Sequence, residues 1–152
     1  RILDVKYFML LPQADLINTP IDNIQWTAVL RSASAFEMFR KEHHLITPRL
    51  VANFLIFDNH FPRSIRHCVN KSRICLERIM NGSSQGLQNN AEKLLGRLKA
   101  DLEYTDIEDV INAGMHEYLD GLQTRLNQVD IAIGTTFFNM KPPEESSTNQ
   151  QQ

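Results

Sequence analysis

The chain has 152 residues, of which 42% are hydrophobic and 22% are charged. This length suffices for one domain whose core needs no disulfide or metal to hold it together. No apolar run approaches the ~18 residues of a membrane-spanning helix, so we expect no membrane protein. A formal charge of -2 argues against a surface built as a whole to bind nucleic acid, although one basic face could still do so.

Cys68 and Cys75 are the only two cysteines, and they lie seven residues apart on one predicted helix. A rise of 1.5 Å per residue separates them by about 10 Å along the axis, which is too far for a disulfide. Because no other cysteine and no signal segment is present, we predict a reducing, cytoplasmic location.

Residues 2–11 are apolar on nearly every side, which predicts a helix that either is buried all round or has lost a covering neighbour. Arg1 opens directly into this segment without an N-cap, so the sequence predicts an N-terminally truncated fragment of a longer protein. A second helix is indicated by apolar residues at helical spacing, namely Trp26, Val29, Leu30 and Ala33. The segment Ser34-Ala35-Phe36-Glu37 has the spacing of a capping box and predicts a kink, followed by a short helix to about His43.

Proline marks two further helix starts. Thr47 and Pro48 predict an N-cap and a first helical residue, and Pro62 is predicted to open the next helix after a turn at residues 58–60. Projection of residues 63–80 at about 100° per residue divides them into two faces. The apolar face, predicted to be core, contains Ile65, Cys68, Val69, Ser72, Cys75, Leu76, Ile79 and Met80. The cationic face contains Arg63, Arg66, His67, Asn70, Lys71, Arg73 and Arg78.

The C-terminal half is also helical by pattern. A leucine stripe predicts a helix from about Leu87 to Leu102, after a flexible loop around Gly82. A capping box at residues 105–108 predicts the start of a long spine helix that continues to Phe137. No segment shows the alternation of a strand. We therefore predict an all-α fold, a bundle of about six helices, with a single domain at residues 1–140 and a disordered tail at 141–152.

Four segments follow one another along the chain: RILDVKYFMLL (1–11), QWTAVLRSASAFEMFR (25–40), TPRLVANFLIFDNHFPRSIRHC (47–68) and AEKLLGRLKADLEYTDIEDVINAGMHEYLDGLQTRL (91–126). Together they resemble the bacterial alpha-E family of predicted all-helical proteins, which is named for a Glu-Arg motif and is typically a tandem duplication. The resemblance covers most of residues 1–138 and is to the C-terminal repeat. In the pattern of that family the Glu-Arg motif would lie just before Arg1, so neither of its residues is carried onto this chain.

The resemblance implies a helical interaction or scaffold module in a predicted bacterial system for peptide synthesis or modification. The implied partners are circularly permuted ATP-grasp ligases, transglutaminase-like proteins and the N-terminal repeat of the same protein. Separately from the resemblance, exposed apolar surface on residues 2–11 would favour self-association into a homo-oligomer. A second hypothesis is an enzyme whose site lies between the repeats and uses the upstream Glu-Arg pair. A third is the binding of an anionic ligand or nucleic acid by the basic helix face.

The basic helix offers the strongest site candidate. Residues 60–80 contain five Lys or Arg against one acid. Free N–H groups at the start of the helix, together with basic side chains, could hold a phosphate or carboxylate. We predict as anion- or partner-binding residues Arg63, Ser64, Arg66, His67 and Arg73. The alternative is a solvated helix face, with Phe61 and Ser64 serving to fix the loop.

No residue is predicted to be catalytic, to bind a cofactor or to ligate a metal. His116 and Asp120 share a helical face, but two ligands are too few for a closed metal site. Both cysteines are predicted on the apolar face, where a thiol is normally inert, and His67 points about 100° away from Cys68. Residues 63–80 lack the aromatic side chains that nucleic-acid binding would need, so nucleic acid is disfavoured. Because no catalytic residue is predicted, the sequence leaves open whether the chain is an enzyme and leans against one for this fragment alone.

Overall fold

A computed structural model describes Leu3, residues 20–81 and residues 90–138 of the chain. The described part folds into seven helices without a strand, which confirms the predicted all-α bundle. In chain order these are α1 (Pro20–Ser32), α2 (Phe36–Glu42), α3 (Pro48–Phe57), α4 (Ile65–Asn81), α5 (Asn90–Tyr104), α6 (Ile107–Ala113) and α7 (Met115–Phe137).

Helix α3 lies at the centre of the bundle. It contacts α1, α4 and α6, while α4 packs on α5 and α5 packs on α7. A helix with neighbours on several sides must be apolar nearly all round, and α3 is. Its buried residues are Val51, Ala52, Phe54, Leu55, Ile56 and Phe57.

Aromatic rings form the inner part of the core. Phe54 packs edge-to-face against Phe39 with ring centroids 5.3 Å apart, and it stacks on Phe61 at 5.0 Å. Trp26 and Leu3 are buried in the same cluster. Aromatic pairs at these distances add stabilisation beyond the area that they bury, so this cluster fixes α2 and the α3–α4 turn against α3.

The first two helix junctions differ in how well their sequence signals predicted them. The Thr47 hydroxyl accepts a hydrogen bond from the Leu50 N–H at 3.3 Å, which confirms the predicted cap of α3. The capping box predicted at Ser34 is wrong, because α2 begins at Phe36 and no side chain caps it. Ser34 instead has φ 52° and ends α1. The N–H of Ala35 bonds the carbonyl of Leu30 at 2.8 Å, as in a Schellman motif, so the kink is confirmed but its cause is a helix C-terminus.

The predicted spine helix is divided in two at Gly114. This glycine has φ 92°, a conformation that side-chain-bearing residues rarely adopt, and it separates α6 from α7. The capping box begins at Asp106 rather than at residue 105. Asp106 Oδ1 accepts from the N–H groups of Glu108 and Asp109, and Asp109 Oδ2 accepts from the N–H of Asp106 at 3.1 Å.

Several predictions fall outside the described residues. They are the N-terminal helix at residues 2–11 apart from Leu3, the loop around Gly82, the helix start at Leu87 and the tail at 141–152. None of the described helices combines the length and the apolar character needed to cross a membrane.

Candidate interaction site on the cationic helix

The turn between α3 and α4 is organised by Asp58. Its Oδ1 accepts hydrogen bonds from the main-chain N–H groups of His60 at 2.7 Å and Phe61 at 2.5 Å. A second turn follows, closed by the Ser64 N–H and the Phe61 carbonyl at 3.0 Å. Pro62 occupies its second position, where a fixed φ is favourable. Pro62 is therefore a turn residue, and the prediction that it opens α4 is wrong because α4 begins at Ile65.

Ser64 is fully buried and caps α4. Its hydroxyl donates to the carbonyl of Asp58 and accepts from the N–H of His67 at 3.1 Å. One side chain thus joins the end of α3 to the first turn of α4. These two bonds agree with the alternative in which Ser64 fixes the loop, and with both the donor and the acceptor role of its hydroxyl occupied Ser64 is part of the scaffold of this turn.

Three of the predicted site residues, Arg63, Arg66 and His67, each contact a main-chain carbonyl. Arg63 Nη1 donates to the Ala33 carbonyl at 3.3 Å, next to the kink between α1 and α2. Arg66 Nη2 donates to the carbonyl of Leu102 near the end of α5. His67 Nδ1 lies 2.7 Å from the carbonyl oxygen of Asn59, a distance that fits an N–H donor. The guanidinium groups of Arg63 and Arg66 therefore connect the start of α4 to main-chain carbonyls at the ends of α1 and α5.

The fifth predicted residue lies apart from the others. Arg73 is two turns further along α4, and its Nη1 forms an ion pair with Glu77 at 2.9 Å. The structure thus groups Arg63, Ser64, Arg66 and His67 at one end of α4 and separates Arg73 from them. Their role as anion-binding residues stays a prediction.

Helix α4 is rotated about its axis relative to the predicted orientation, by somewhat less than the ~100° between consecutive residues. Val69 and Leu76 are buried as predicted, but Cys68 and Cys75 are exposed. The prediction that both thiols lie in the core is wrong. Part of the predicted cationic face turns toward the bundle instead, since Arg66, Asn70 and Arg73 are half-buried.

Arg66 explains the rotation. Its guanidinium lies over the ring of Phe57, 4.9 Å from the ring centre, while it also bonds the end of α5. Arg66 therefore points between α3 and α5, and its aliphatic stem can pack there. Cys68 and Cys75 follow it by two and nine residues, which at about 100° per residue places both on the opposite, solvent-facing side.

A polar cluster around the half-buried Tyr118 lies between α4, α5 and α7, and the sequence patterns did not indicate it as a cluster. Arg125 Nη1 donates to Asp101 Oδ2 at 2.5 Å, and Tyr118 lies beside this pair. Burial raises the pKa of the Tyr118 phenol above its ordinary value of 10.0; Asp101 adds to the rise, whereas Arg125 and Arg66 oppose it. Tyr118 belongs to the apolar stripe of the predicted spine helix, but no stripe contains Asp101 or Arg125, so only the tertiary packing reveals the cluster.

The solvent-facing side of α4 carries a row of small and apolar side chains. We call Cys68, Ser72, Cys75 and Ile79 the α4 outer stripe; all four are exposed. They are spaced at i, i+4, i+7 and i+11, so they form one line about 16 Å long. Lys71 and Arg78 flank this line, are exposed, and make no ion pair with any residue that the structure describes.

The described residues contain no group of three side chains that could hold a metal ion. The fold and the cationic helix define an all-α domain with an exposed, amphipathic helix surface. Residues 1–138 match the family model Alpha-E, described as a predicted alpha-helical domain with a conserved ER motif. The chain belongs to the Alpha-E family, and the resemblance is thereby confirmed. Comparison with curated proteins and with solved structures gave no significant match.

The sequence contains one adjacent Glu-Arg pair, at Glu77 and Arg78. Glu77 pairs with Arg73, and Arg78 is exposed beside the α4 outer stripe. This pair lies outside the four segments that carry the family resemblance. The location of the family motif upstream of Arg1 stays a prediction.

Proposed function

We propose that this Alpha-E domain is a helical interaction module, or scaffold, in a bacterial system for peptide synthesis or modification. It works in the cytoplasm beside a circularly permuted ATP-grasp ligase and transglutaminase-like proteins. The family resemblance supports this setting. The observation that carries the interaction role is the α4 outer stripe with its two flanking cations.

The two sides of α4 differ in their contacts. Arg66, on the inner side, bonds the bundle through a carbonyl and an aromatic ring. On the outer side Ile79 is 56% exposed, although burial of an isoleucine is favourable, and Lys71 and Arg78 have no described counter-charge. Apolar side chains rimmed by charge are typical of protein interfaces, in which the centre is dry and the rim is polar.

Co-purification tests this function. The full-length protein, tagged and co-expressed with the ATP-grasp ligase of its host, is expected to retain that ligase on an affinity resin. Lys71→Glu with Arg78→Glu should reduce the retained ligase at least ten-fold, because the interface rim then repels an acidic partner surface.

A matched control reverses two charges elsewhere. Lys93 and Arg97 are exposed on α5, have no described ion pair, and are four residues apart. Lys93→Glu with Arg97→Glu changes the net charge by the same amount and should leave retention unchanged. If the unmodified full-length protein retains no ligase, the proposed function is wrong.

A further inference from the structure

The outer face of α7 carries a second row of exposed residues with the same spacing as the α4 outer stripe. We call Asp120, Thr124, Asn127 and Ile131 the α7 outer stripe; all four are exposed. Ile131 has 65% of its surface in contact with solvent. The intervals of four, three and four residues are those of the α4 stripe, and they read the same in both directions along a helix. The two stripes can therefore lie along each other.

The charges around the two stripes are opposite. Residues 63–81 contain five Lys or Arg and one acid, whereas α7, at residues 115–137, contains three acids and one arginine. Asp120 lies within the α7 outer stripe and Asp130 beside it, and neither has a described ion pair. Lys71 and Arg78 are equally free of described counter-charges. Each stripe thus lacks the charge that the other presents.

The two stripes do not contact each other within one chain. Helices α4 and α7 both pack on α5, and the residues of both stripes are exposed. Contact between them therefore requires two molecules. We infer that the α4 outer stripe docks on the α7 outer stripe of a second copy of this chain. The inference rests on the proposed interaction role and assigns to the same surface a second occupant, another copy of this chain.

An antiparallel arrangement satisfies the charges. Lys71 lies about 60° from Cys68 around the axis of α4, and Asp130 lies about 80° from Asp120 around the axis of α7, in the same rotational direction. When two helices pack antiparallel, residues displaced in the same rotational direction from the contact line lie on the same side of the interface. Pairing Cys68 with Ile131 of the second copy brings Lys71 close to Asp130 of that copy. In the same register Arg78 lies beside Asp120 of the second copy.

Sedimentation of the 152-residue chain in the presence of reductant tests the inference. The mass should rise above the 17.5 kDa of one chain as concentration increases to roughly 1 mM, and salt should weaken the association. Two variants are expected to self-associate only at a concentration at least ten-fold higher than the unmodified chain needs. They are Lys71→Glu with Arg78→Glu, and Asp120→Lys with Asp130→Lys. The α5 control, Lys93→Glu with Arg97→Glu, should associate as the unmodified chain does.

Mixing the two variants provides the decisive comparison. Each alone presents like charges on both stripes, but in an equimolar mixture the acidic α4 of one faces the basic α7 of the other. Association should return to within about three-fold of that of the unmodified chain, a recovery that misfolded variants could not show. An unmodified chain that stays at 17.5 kDa, or a mixture that fails to recover, overturns the inference.

The two proposals can fail separately. A chain that remains monomeric while the full-length protein still retains the ligase overturns self-docking and supports the interaction role. A chain that associates through these stripes while the full-length protein retains no ligase supports self-docking and overturns the role beside the ligase.

Discussion

The guanidinium of Arg66 donates a hydrogen bond to the main-chain carbonyl of Leu102. This contact joins the first turn of α4 to the last turn of α5 and turns a cationic side chain toward the bundle. Because Arg66 faces inward, the side chains opposite it on α4 face solvent. The interaction surface that we propose is thus a consequence of one arginine that contributes to the fold.

Arg66→Ala is expected to lower the free energy of unfolding by about 1–3 kcal/mol, since it removes a charge-assisted hydrogen bond and the contact with the Phe57 ring. Arg66→Lys should recover only part of this, because an ammonium lacks the planar fork of donors. Urea unfolding measures the difference. Arg78→Ala is the control on the same helix and should stay within about 0.5 kcal/mol. Equal effects of Arg66→Ala and Arg78→Ala would show that Arg66 does not hold α4 in place.

Ser64→Ala should cost about 1–2 kcal/mol. The substitution removes the cap of the His67 N–H and also leaves the Asp58 carbonyl without its hydroxyl donor in a buried position. Ser72→Ala, at an exposed position of the same helix, should have almost no effect on the midpoint of urea unfolding. The capping role is contradicted if the two alanine variants unfold at the same urea concentration.

Gly114→Ala should destabilise the chain by at least about 1 kcal/mol, because φ 92° is strained for any residue with a Cβ and the added atom meets the Glu117 side chain. Gly121→Ala should instead stabilise it by up to about 1 kcal/mol. Gly121 lies inside α7, and nothing comes within 4 Å of a Cβ placed there. Thermal unfolding followed by circular dichroism compares the two. A stable Gly114→Ala variant would mean that α6 and α7 form one continuous helix in solution.

Interactions within a single helical turn allowed several helix boundaries to be predicted from the sequence. The boundaries that were predicted wrongly depend on tertiary contacts or on conflicting local signals. Thr47 and Pro48 act within one helical turn, so their sequence signal suffices to place the start of α3. A glycine at position 114 can end a helix, but apolar residues continue at helical spacing on both sides of it, so the sequence predicted one uninterrupted helix. Ser34 could serve equally as a cap for α2 or as an end of α1, and only the contact of Ala35 with Leu30 decides between them.

The orientation of α4 could not be read from its own residues. The cysteine and serine side chains on one side of α4 were consistent with an apolar, core-facing side. The residues that contact Arg66 and set the observed orientation of α4, Phe57 and Leu102, belong to α3 and α5. Four of the five candidate site residues lie together at the start of α4 and Arg73 lies apart, while the binding role of all five stays a prediction. Their contacts with main-chain carbonyls depend on how α1, α3 and α5 end, which spacing alone cannot specify.

Tyr118 provides a prediction for alkaline pH. Burial raises its pKa above 10.0, so the folded state holds the phenolic proton more firmly than the unfolded state does. This stabilisation is complete below about pH 10 and is lost as pH rises through the higher folded pKa. Tyr118→Phe should therefore show a smaller loss of unfolding free energy than the unmodified chain between about pH 9 and about pH 12. Absorbance titration should show that the ionisation step lost in Tyr118→Phe lies above the ordinary tyrosine pKa of 10.0, and loss of a step at or below that value would contradict this.

Thiol labelling of the native chain tests the orientation of α4, on which the proposed interaction surface depends, most directly. Cys68 and Cys75 are exposed, and each can be assigned through a single serine substitution of the other. We expect both thiols to react with a maleimide under native conditions, at rates that low concentrations of urea do not change. Cys75 should react faster, because the Cys68 thiol lies 3.4 Å from the Pro62 carbonyl. Thiols that react only in proportion to global unfolding would place both cysteines in the core and contradict the account.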